Sequence, residues 1–89
     1  MMIEKIGCAA MLEQMAEESA ELAKAALKLA RIIRKENPTP VKKEDAIVNL
    51  YEEYTDVVQC ARELDLIPDE DQILVKEARF KRRWKESHK

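Results

Sequence analysis

Apolar residues recur along most of this chain at steps of three and four, the spacing of one face of an α-helix. On a wheel of about 100° per residue, Met11, Met15, Leu22, Ala25, Leu29 and Ile33 fall within roughly 60° of the direction of Glu18. The pattern is rich in Ala, Leu, Glu and Lys, and predicts a first helix over about Ile3–Lys35, with Arg31, Arg34 and Lys35 suited to the negative end of its dipole. "ENPTP" ends it, because Pro38 and Pro40 cannot continue a helix. A second stripe, Ala46, Leu50, Val57, Cys60 and Leu64, predicts a helix over about 43–64. Its start falls between Thr39 and Glu44, with Thr39 a candidate cap ahead of Pro40. "LDLIPDED" makes the next turn, and Asp69 caps a third helix over about 70–86. That helix carries Ile73, Phe80 and Trp84 on one stripe and ends in the basic run "RFKRRWK". Nothing reads as a strand. The expectation is an all-α chain, residues 1–89 forming one domain, a bundle of about three helices.

Acids interrupt both long stripes. Glu18 lies in the middle of the first, with Glu21 and Gln14 along one edge; Glu53 lies in the second, with Asp56 and Asn49 along the matching edge. Both helices thus read amide, a Glu four positions on, then an acid three further, and the packing residues correspond as well, Met15 with Leu50 and Leu22 with Val57. A helix that buries such a stripe also buries its carboxylate, which is costly without a cation or a proton. Two stripes packed together would gather Glu18, Glu21, Glu53 and Asp56. Hard oxygen donors of this kind suit Mg²⁺ or Mn²⁺. The ordinary meaning of acids at helical spacing is a solvated face paired with lysines, as Glu17 with Lys24 or Glu21 with Lys28 would be. The doubling of the pattern on two core stripes favours the metal. No Glu-x-x-His pair supports a ferritin-like di-iron centre.

Composition narrows the rest. Hydrophobic residues make up 46% and charged residues 38%, with one Gly, which reads as globular and helix-rich. A net charge of −2 and no recognised motif argue against nucleic acid as a partner, although "RFKRRWK" keeps it as a third reading. Cys8 and Cys60 read as free thiols packed as small core residues, and the one histidine, His88, excludes a His-based triad. No apolar run approaches a membrane span and the charged N-terminal stretch is no signal peptide, so a soluble cytoplasmic protein without a membrane partner is expected.

The motif pair Glu17-Glu18-x-x-Glu21 and Glu53-x-x-Asp56, with "RFKRRW" from Arg79 to Trp84, resembles the MazG family of all-α nucleoside triphosphate pyrophosphohydrolases. The likeness spans about residues 9–86. It implies that Glu18, Glu21, Glu53 and Asp56 bind Mg²⁺, with Mn²⁺ as an alternative, and that the substrate is a nucleoside triphosphate. Water would attack the α-phosphorus and release a nucleoside monophosphate and pyrophosphate. Glu17 is then the candidate catalytic residue, by water activation or ligand support, its alternative being a plain surface acid. Lys76 and Arg83, on one edge of the Phe80 stripe, are candidate phosphate contacts; Asn49 and Gln14 would orient ligands or substrate. Tyr51, Tyr54 and Trp84 read first as core or interface residues and second as stacking surfaces for a base. The first connection is longer than is usual in the family, and the chain offers three helices where many members have four or more, which favours a homodimer or homotetramer. The competing reading is an oligomeric helical interaction module that binds partners or nucleotide without turnover.

Overall fold

The computed structural model describes residues 1–36 and 40–88. It contains four helices: α1 (Ile3–Ile6), α2 (Cys8–Arg34), α3 (Lys43–Glu63) and α4 (Glu70–Ser87), with no strand among the described residues.

The expected first helix is broken near its start. Gly7 adopts φ 91°, ψ 161°, a conformation outside the reach of ordinary side chains, and separates α1 from α2. The short α1 is held from afar. The carboxylate of Glu63, at the end of α3, accepts the backbone N–H of Met2 at 3.0 Å and that of Ile3 at 3.5 Å. This contact also fixes the topology: the end of α3 meets the start of the chain, so α2 and α3 form an antiparallel hairpin.

The ends of α2 and α3 share one device. Lys35 and Asp65 take up the left-handed conformation, at φ 57° and 55°. Behind them, Glu36 N–H reaches Arg31 O at 3.2 Å and Leu66 N–H reaches Ala61 O at 2.9 Å. These are Schellman closures made without glycine. Residue Thr39 and its proposed cap lie outside the described residues. The second helix starts at Lys43, after Pro40, with Lys42 as a cap that forms no side-chain bond. Asp69 caps α4 as expected: its carboxylate accepts Gln72 N–H at 3.0 Å and the Gln72 side-chain amide at 3.2 Å.

Packing is concentrated between α2 and α3. Met11, Ala25, Ala46 and Cys60 are buried, while Met15, Leu22, Leu29, Leu50, Val57 and Leu64 are half-buried. The stripes read from the sequence are therefore the packed faces, apart from Ile33, which is 57% exposed. Cys8 is also exposed rather than a core residue, since the break at Gly7 places it at the first position of α2; Cys60 is buried, and both thiols are free. Every described residue of α4 is exposed, Trp84 included. The Trp84 ring stacks on the His88 imidazole, centroids 4.1 Å apart, instead of entering a core. No helix among the described residues is long and apolar enough to cross a membrane.

Candidate carboxylate site between two helices

The antiparallel hairpin brings the two acidic phrases together. Glu18 from α2 meets Glu53 and Asp56 from α3, and each offers a carboxylate oxygen within 4.8 Å of the others. Glu18 and Glu53 are half-buried, as acids on a packed stripe must be; Asp56 is exposed at the edge. Two residues of one helix separated by three positions project side by side, and the third acid arrives because the facing stripe is interrupted at the corresponding place.

Neighbours define the site further. The Gln14 side-chain amide donates to Glu18 Oε1 at 2.8 Å, so one of the paired amides orients an acid. The carboxyl of Glu53 is raised above its ordinary range, first by partial burial and then by the negative charges of Asp56, Glu21, Glu18 and Glu52. Burial pushes the Cys60 thiol upward too, with Glu18, Asp56 and Glu63 adding to it. Cys60 is thus held as a thiol beside the acids, unsuited to nucleophilic chemistry.

The remaining candidates are placed less centrally. Glu21 is exposed and pairs with Lys24 at 3.5 Å, so it stands outside the trio, although its charge still acts on Glu53. Its ion pair is with Lys24, three residues on, and not the Lys28 pairing that a solvated face suggested. Glu17 is exposed and Asn49 half-buried. Lys76 and Arg83 are exposed on α4, which buries no residue of its own. Sequence reasoning overlooked Glu63, a 7% exposed carboxylate whose partners are backbone groups some sixty residues away. Its place at the end of the α3 stripe, after Cys60, was the only available signal.

The trio is a set that could hold a divalent cation: three carboxylates from two packed helices, two of them partly withdrawn from water, with the proton affinity of Glu53 raised by desolvation and then by the neighbouring charges. A cation would relieve that repulsion directly. Family models, curated proteins and solved structures contain no match to this chain. The functional reading accordingly rests on these residues and their geometry.

Proposed function

We propose that the protein is a Mg²⁺-dependent nucleoside triphosphate pyrophosphohydrolase of MazG-like type, converting a nucleoside triphosphate and water to the monophosphate and pyrophosphate. The observation that carries this reading is the convergence of Glu18, Glu53 and Asp56 across two packed helices. Glu18 and Glu53 are half-buried on the interhelical face, and desolvation together with the charges of Asp56, Glu21 and Glu18 makes Glu53 harder to ionise, a cost that a bound cation would offset.

In this proposal Glu18, Glu53 and Asp56 hold the metal, with Mn²⁺ an acceptable substitute, and Glu21 supplies additional negative charge from the rim. Bound there, Mg²⁺ would offset triphosphate charge and make an attacking water more acidic. Gln14 keeps Glu18 oriented through its 2.8 Å bond. Glu17 is assigned the proton from the attacking water, and Asn49 a substrate-orienting contact. Lys76 and Arg83 are assigned to phosphate, since ammonium and guanidinium groups bind phosphate oxygens through charge-assisted hydrogen bonds. Removal of surplus or non-canonical nucleotides in the cytoplasm is the fitting role.

The test is pyrophosphate release from a panel of canonical and modified nucleoside triphosphates in Mg²⁺ or Mn²⁺. Turnover by the wild type that disappears in Glu53→Gln is expected. Absence of turnover across the panel, or full turnover by Glu53→Gln, refutes the assignment. One observation favours a second reading, an interaction module without turnover: the exposure of α4, a helix whose apolar stripe is left uncovered among the described residues.

A further inference from the structure

The densest unbalanced charge in the molecule is on α4. Arg79, Lys81, Arg82, Arg83 and Lys85 put five cations into seven residues with no acid among them, in a chain whose net charge is −2. All five are exposed, and none forms an ion pair among the described residues. Most of the acids lie before α4. Arg79 stands nine residues beyond the start of α4, about 14 Å along its axis. Charges are screened over roughly 8 Å at physiological ionic strength, so a partner at this end of α4 meets its local charge and not the net charge of the chain.

The cations are also arranged. Residues three apart on a helix turn by about 60° and rise by about 4.5 Å, so Arg79, Arg82 and Lys85 form one ridge about 9 Å long. Arg82 lies nine residues from Ile73, about 180° round the helix, so the ridge runs along the back of the Ile73–Phe80–Trp84 stripe. It faces outward whatever covers that stripe. Arg79 lies to one side of Arg82, and Lys81 and Lys85 to the other. The surface here is low: Val75 and Ala78 share a shallow depression with Arg79 and Arg82. Asp71 and Glu86 are the acids on this face, at its two ends. Lys76 and Arg83 fall between Arg79 and the stripe and take no part.

This placement selects among polyanions. A helix seated in a membrane surface would turn its apolar stripe to the lipid and leave Arg82 pointing away from the head groups. Duplex RNA has a major groove too narrow for a helix. The major groove of B-form DNA is about 12 Å wide, admits one α-helix and sets a wall of phosphates on either side. We propose that α4 is a DNA-binding helix: it enters the major groove by its Arg79–Arg82–Lys85 ridge, with Arg82 toward the groove floor, Arg79 toward the phosphates on one side, and Lys81 and Lys85 toward those on the other. Contact of this kind is mainly with phosphate, so little sequence preference is expected. The proposal is independent of the hydrolase reading, since it uses none of the residues assigned there.

Fluorescence anisotropy of a labelled B-form duplex of about 20 base pairs, titrated with the purified full chain, tests it. Binding is expected with a Kd on the order of 10⁻⁵ M at about 150 mM salt, tightening about 50-fold at about 50 mM, which is the slope of about −3.6 given by four neutralised phosphates. Arg79→Gln with Arg82→Gln and Lys85→Gln is expected to weaken binding at the lower salt by about 100-fold and to reduce the slope to about −1. A charge-matched variant of the hairpin, Lys5→Gln with Lys28→Gln and Arg31→Gln, is expected to change it by less than about 3-fold. Glu86→Gln is expected to bind about 2- to 5-fold more tightly, a gain that loss of structure cannot mimic. Helicity by circular dichroism is expected to hold throughout, since every replaced side chain is exposed and Gln suits a helix; a ridge variant that lost helicity would leave the wild-type slope and Glu86→Gln to decide. Absence of binding by the wild type at about 100 µM protein and the lower salt overturns the proposal. So does a hairpin variant weakened as much as the ridge variant, or a Glu86→Gln chain that binds no more tightly. An RNA duplex of the same sequence, or vesicles containing phosphatidylserine, bound as tightly as the DNA also overturns it.

Discussion

Replacing Glu63 with alanine tests whether the start of the chain is anchored by a side chain some sixty residues away. Two hydrogen bonds are at stake, but not equally. The 3.0 Å bond from Met2 N–H has good length, while the 3.5 Å bond from Ile3 N–H lies at the limit and contributes little. A hydrogen bond to a charged group contributes about 1.5–3 kcal/mol, and the Glu63 stem adds packing at a site only 7% exposed. Removing the carboxylate also removes its desolvation cost, so the lower part of the range applies, about 2 kcal/mol. On a chain of this size that corresponds to a fall in Tm of about 10 °C. The assay is thermal unfolding by circular dichroism at fixed protein concentration, because association contributes to apparent stability. Glu63→Gln keeps one carbonyl acceptor without the charge and is expected to lose about half as much. A Glu63→Ala protein within about 0.5 kcal/mol of wild type would refute the anchor. Equal losses in the two variants would show that charge, rather than the stem, carries all of it.

Two further outcomes follow from the geometry. Glu53 has a folded-state pKa above the ordinary 4.5, so between those two values the folded chain binds more protons than the unfolded one. The contribution of Glu53 to metal-free stability is therefore present at low pH and lost as pH rises through that window; Glu53→Gln is expected to flatten that part of the profile and to be more stable than wild type at pH 7 without metal, in denaturant titrations at several pH values. Lys35→Gly relieves a left-handed backbone position at the end of α2 and is expected to raise stability by up to about 1 kcal/mol, read from the urea midpoint.

Much of this architecture is legible in the residues because helix periodicity links spacing to direction. The buried Met11, Ala25, Ala46 and Cys60 all belong to stripes visible on the wheel, and Glu18 and Glu53 are half-buried for the same reason. Asp69 announces its helix through local chemistry alone. Other features depend on partners that periodicity does not encode. Gly7 breaks a stretch whose side-chain pattern continues across it, since the pattern records side chains and the break lies in the backbone. Glu21 sits on the expected edge, yet its side chain turns to Lys24, a choice set by a local ion pair. Lys76 and Arg83 lie on the expected edge of their stripe, but α4 leaves the hairpin, and no feature of an amphipathic helix specifies which surface will receive it.

The carboxylates stand well inside the hairpin: ten residues, about 15 Å of helix, separate Glu53 from the start of α3. Their meeting is a matter of rotational phase between two long rods. A single residue inserted between Ala46 and Glu53 would turn everything beyond it by about 100° and carry Glu53 and Asp56 away from Glu18 while leaving the helix intact. The count of unremarkable helical residues leading up to the acids therefore decides whether the carboxylates meet at all.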